Sequence, residues 1–81
     1  MDLLKKYSIN KDDIESISIF LDDNVPDYMD GRLRIGSVKI STNKKEIYIN
    51  ELVDNSEFTD YLSIENFVNK SLETNIATII E

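Results

Sequence analysis

The chain is predicted to fold as α+β, a small two-layer domain. A three-stranded antiparallel sheet packs one face against a short N-terminal helix and a C-terminal helix or helices, in the order α-β-β-β-α. Three observations predict it. Residues 16–21 and 46–52 alternate apolar and polar side chains, the period of a half-buried strand. Residues 32–41 do the same in two phases. Phe58, Tyr61, Ile64, Val68 and Leu72 recur at three- and four-residue steps, the stripe of an amphipathic helix. At 81 residues this is one domain, 1–81.

The elements follow in order. Asp2 to Tyr7 is a short helix with Leu3, Leu4 and Tyr7 on one side, and Asn10 caps a turn through Asp13. In the first strand Ile17, Ile19 and Leu21 point one way, and Ser16, Ser18 and Phe20 the other. Asp22 to Gly31 breaks the pattern with Asp, Asn, Pro and Gly, and reads as a loop. In the second strand Leu33 and Ile35 share a face, but Val38 and Ile40 are shifted by one. A β-bulge at Gly36-Ser37 restores both pairs to one face. Thr42-Asn43-Lys44 is a polar turn leading to the third strand, Glu46 to Leu52, with Ile47 and Ile49 inward. Asp54-Asn55-Ser56-Glu57 has capping-box spacing and opens the last helix, or Ser63 splits that region into two helices. Tyr61 and Phe67 are assigned to the core or its margin. The tail 74–81 reads as helix with a frayed end, Ile76, Ile79 and Ile80 continuing the stripe; an edge strand is the alternative.

Composition excludes much chemistry. The chain has no His, Cys or Trp. That removes disulfides, Cys/His metal centres, thiol nucleophiles and imidazole-dependent dyads. Ser41-Thr42-Asn43-Lys44 has Ser/Lys-nucleophile spacing, but in a hairpin turn and without companion motifs. The oxygen-rich loop 22–31 lacks the ligand order of an EF-hand, so an exposed acidic loop is expected rather than a calcium site. No catalytic residue, metal or cofactor is expected. No secretory leader or membrane span is read either, because apolar runs are only two or three residues long. A cytoplasmic location, in a bacterium or a phage-infected host cell, is expected. The abundance of Ile, Asn and Lys beside two Arg suits AT-rich codons.

The formal net charge is −7, unevenly spread. Residues 31–45 carry Arg32, Arg34, Lys39, Lys44 and Lys45 and no acid, while the flanking regions are acidic. These runs could be solvated faces that attract one another. The sharper reading is an acidic surface that imitates nucleic acid, whose dense phosphate charge is what Lys/Arg grooves bind. The carboxylates singled out are Asp22, Asp23, Asp27 and Asp30 in the loop, with Glu51, Asp54, Glu57 and Asp60 around the start of the last helix. Tyr28, beside Met29 in the acidic loop, has the character of an interface anchor. Direct nucleic-acid binding is not expected of so acidic a chain.

Size, acidity, the absence of cysteine and histidine, and the α-β-β-β-α order resemble small acidic proteins of phages and mobile elements, particularly anti-CRISPR inhibitors of Cas9-type effectors. Residues 33–40, the turn and 46–49 look like the central hairpin of one such group. The resemblance implies an inhibitor occupying a basic DNA-contact groove. The expected function is therefore a non-enzymatic, acidic protein-binding module that presents a DNA-mimicking surface to a nucleic-acid-handling defence protein. It would act as a monomer or weak homodimer. A toxin-immunity or antitoxin-like protein, and a structural or regulatory homo-oligomer assembled through an uncovered edge strand, are the alternatives.

Overall fold

The computed structural model describes residues 2–22, 32–53 and 56–81. The described elements are helix α1 (Leu3–Lys6), a 3₁₀ turn (Lys11–Asp13), strands β1 (Ile14–Leu21), β2 (Ile35–Thr42) and β3 (Glu46–Tyr48), a second 3₁₀ turn (Asn50–Leu52), helix α2 (Tyr61–Leu72) and strand β4 (Ala77–Ile80). The Asn10 cap agrees with the sequence, while Asp2 caps α1 rather than beginning it. Asp2 accepts from the Lys5 amide and Asn10 from the Asp12 amide, each satisfying an orphan donor at a helix start.

β1 and β2 pair antiparallel, and the ladder carries two bulges. Phe20 pairs with Ser37 but Leu21 with Ile35, leaving Gly36 unpaired. A Cβ on Gly36 would come within 3.1 Å of the Leu21 and Asp22 backbone, so glycine suits this close approach. At the far end Ile14 pairs with Thr42 and Ser16 with Ser41, leaving Glu15 unpaired. Each bulge resets the alternation on its own strand. Ile14, Ile17, Ile19 and Leu21 therefore share a face with Ile35, Val38 and Ile40, and these side chains join one core. The expected second strand begins later than Arg32. Leu33 instead makes an isolated antiparallel bridge with Phe58, through two backbone hydrogen bonds of 2.8 and 2.9 Å.

β3 is shorter than the predicted 46–52. Its inward residues Ile47 and Ile49 alternate as expected, but the chain then turns over Asn50–Leu52. Ile49 and Leu52 are both buried, and a 3₁₀ turn brings residues three apart onto one side. An extended strand would have placed Leu52 opposite Ile49.

The capping-box expectation is corrected. Asp54 and Asn55 lie outside the described residues, and Glu57-Phe58 is extended by the bridge to Leu33. The helix starts at Tyr61, capped by Asp60, whose Oδ1 accepts from the Ser63 amide at 2.7 Å. There is no break at Ser63. Ile64, Val68 and Leu72 are its buried stripe. Phe58 still joins that face, with its ring centroid 5.5 Å from that of Phe67.

The helical reading of the tail is overturned as well. Glu73 adopts the left-handed conformation (φ 57°, ψ 45°). Its amide donates to the Lys70 carbonyl and the Thr74 amide to the Asn69 carbonyl, which closes the helix in a Schellman motif. The chain then runs as β4, parallel to β1, with Ile17 opposite Ala77 and Ile19 opposite Ile79. The sheet is thus four-stranded and mixed, in the order β3-β2-β1-β4, and not three-stranded and antiparallel. Ile and Thr suit a pleated surface, and Ala77 and Ile79 cover core that a projecting helix would leave bare.

α2 ties β4 down from outside. Asn69 Oδ1 accepts from the Ala77 amide and from Thr74 Oγ1, both at 2.9 Å, and Glu65 Oε2 accepts from the Ile79 amide at 3.3 Å. The two acceptors are one helical turn apart and the two amides are two residues apart along the strand, so helix and strand periods match.

Among the described residues fifteen apolar ones are buried and no polar or charged one is. The face away from the helices carries Ser16, Ser18, Ser37, Ser41 and Thr78, with Phe20, Lys39, Tyr48 and Ile80 among them.

Candidate functional site

Asp23, Asp27, Tyr28, Asp30 and Asp54 lie outside the described residues. Asp22, Glu51, Glu57 and Asp60 fall within them, and the structure brings only some of these together.

Glu51 stands apart. It sits in the second 3₁₀ turn and is held by α1: Lys6 Nζ and the Tyr7 hydroxyl both donate to its carboxylate. These bonds stabilise the ionised form and hold Glu51 down to about 2, with the Lys6 bond the larger cause. The same bonds raise Lys6 and Tyr7 above their ordinary values. α1 lies toward the C-terminal part of α2, where Asp2 shares a groove with Phe67 and residues 70–73. Glu51 is therefore not at the start of the last helix, as its spacing suggested.

Asp22, Glu57 and Asp60 gather at the opposite end. Asp22 follows β1, and its amide donates to the Arg34 carbonyl at 2.9 Å. The Leu33–Phe58 bridge sets Arg32 beside Glu57, and the two side chains form an ion pair. Asp60 then caps α2, and the hydrogen bonds from the Ser63 side chain and amide lower its pKa. Glu57 and Asp60 thus have internal partners as well as exposed positions. The basic hairpin is likewise tied locally to acids: Lys39 Nζ lies 3.8 Å from Glu46 Oε1.

A cleft opens at this same end, lined by Phe20, Leu21, Tyr61, Ile80 and Glu81, with a volume of about 500 Å³. Tyr61 was assigned to the core or its margin but is 43% exposed, and Ile80 is 44% exposed. Tyr61 and Glu81 face the same cleft, and the nearby Glu81 carboxylate raises the tyrosine above its ordinary value. Glu81 and Ile80 escaped the sequence reading because the tail was read as helix. Reading it as a strand beside Ile17 and Ile19 would have carried Ile80 to Phe20.

Among the described residues no group of three or more His, Cys, Asp or Glu could hold a metal ion, and no helix is long and apolar enough to cross a membrane. No protein-family model, curated protein or solved structure matches this chain.

Proposed function

We propose that this chain is a non-enzymatic protein-binding module that inhibits a nucleic-acid-handling defence protein, in the cytoplasm, by presenting an acidic surface to its basic groove. The observation that carries the reading is the gathering of Asp22, Glu57 and Asp60 at one end of a domain of net charge −7. That end is also where the acid-rich stretch 22–31 joins β1 and leads to Arg32. Carboxylates on a fixed scaffold compete with phosphates for Lys and Arg without being consumed.

The test is inhibition of DNA cleavage by a panel of Cas9-type effectors, read at rising salt. Inhibition should weaken by about tenfold or more between about 50 and 200 mM salt. Asp23→Asn/Asp27→Asn/Asp30→Asn should weaken it, whereas Asp12→Asn/Asp13→Asn should not. Binding indifferent to ionic strength overturns the acidic-surface reading. A toxin neutralised without any effect on DNA cleavage would favour the immunity-protein alternative.

A further inference from the structure

The cleft between β1, β4 and the start of α2 brings together side chains from three elements. Phe20, Leu21 and Ile80 give it apolar walls, Tyr61 an exposed ring and Glu81 a carboxylate. None of its described lining residues is a cation, and the chain runs from it directly into two acids, Asp22 after Leu21 and Asp60 before Tyr61. Tyr61 and Glu81 line the cleft together, and a carboxylate has lone pairs enough to accept from more than one donor. The Phe20 ring already receives a cation, since Lys39 Nζ lies 5.8 Å from its centroid.

We infer that this cleft receives an arginine side chain from a basic protein partner. The inference rests on the proposed reading that the partner presents a basic groove, and it names one anchor of that contact. The aliphatic stem of an arginine would lie on Ile80, beside Phe20. Its planar guanidinium would stack on Tyr61 and donate to Glu81. A lysine could offer charge and stem but neither the stacking nor the paired donors. An uncharged apolar side chain would leave the carboxylate unused at the mouth.

The experiment titrates the full-length chain with the peptide acetyl-Ala-Arg-Ala-amide, followed by amide NMR shifts. Two counterparts carry lysine or the uncharged isostere citrulline in place of arginine. Saturable shifts confined to Tyr61, Ile80, Glu81 and their neighbours are expected. Citrulline should bind about tenfold more weakly, and Glu81→Gln should weaken the arginine peptide by a similar factor. Tyr61→Leu keeps an apolar wall but should lose the preference for arginine over lysine. The inference is overturned by absence of saturation, by equal binding of citrulline or lysine, or by an unchanged Glu81→Gln. A concentration-dependent dimer that Glu81→Gln dissolves would also overturn it, by making a second copy the occupant. Salt-sensitive inhibition that survives Glu81→Gln would remove the cleft while leaving the proposed function standing. Arginine binding without any salt-sensitive inhibition would do the reverse.

Discussion

Strands β3 and β4 both lie at an edge of the sheet, yet the chain closes the two edges by different means. β3 is three residues long, joined to β2 by a tight turn and flanked by Lys44 and Lys45. Brevity and nearby charge are common ways to blunt an edge. β4, four residues long and followed by Glu81, adds a further device. Its Ala77 and Ile79 amides are taken up by Asn69 and Glu65, reaching across from α2. One edge is protected by local sequence, the other also by a side-chain clasp from an element already packed on the sheet. The difference also bears on assembly, because a strand added at β4 would have to displace that clasp.

The comparison can be broken most directly in the core beneath each edge. Ile79→Ala should cost about 2–3 kcal/mol in urea denaturation, and Ile47→Ala, which removes a half-buried side chain, about 1 kcal/mol. Equal losses would mean that β4 adds no more to the fold than β3 does. Next in size is the clasp itself. Asn69→Ala strips the acceptor from two part-buried donors and should cost about 2 kcal/mol, with faster hydrogen exchange at the Ala77 amide. Asn69→Asp keeps the oxygen and should recover most of the loss.

The smallest effect lies away from both edges and sharpens the contrast between fixed and free carboxylates. Glu51 is ionised down to about 2 in the folded chain, against 4.5 ordinarily. Its contribution to stability is therefore complete above about pH 4.5 and lost as the pH falls toward 2. Glu51→Gln should flatten that part of the pH–stability curve and leave the curve near neutrality with the same slope. A variant that still follows the native slope between those limits would show that Glu51 is not the titrating group.

Local patterns were readable where a single period ruled. The alternation of Ile17 and Ile19, the phase break at Gly36 and the cap at Asn10 stand in the structure as the residues suggested. The second bulge at Glu15 was missed because Ile14 lay outside the assigned strand. The start of α2 was misplaced because 54–57 and 60–63 both offer cap spacing, and the choice between them is made by the distant Leu33. The tail was misread for a related reason. Ile76, Ile79 and Ile80 fit helical steps, and only the left-handed turn at Glu73 and pairing with β1 decide for a strand. The candidate site suffered accordingly. Asp22, Glu57 and Asp60 were visible as charges, while Glu81 needed the strand to reach Tyr61.

The unpaired residues Glu15 and Gly36 sit on opposite strands, at opposite ends of one ladder. Each works as a registration pin. Sliding β1 along β2 would set both extra residues against regular pairing at once, so a single alignment survives. Deleting either residue would turn part of the isoleucine set toward water. From the Ile14–Thr42 pair to the Leu21–Ile35 pair the ladder should therefore accept exchanges of outward side chains far more readily than any gain or loss of one residue.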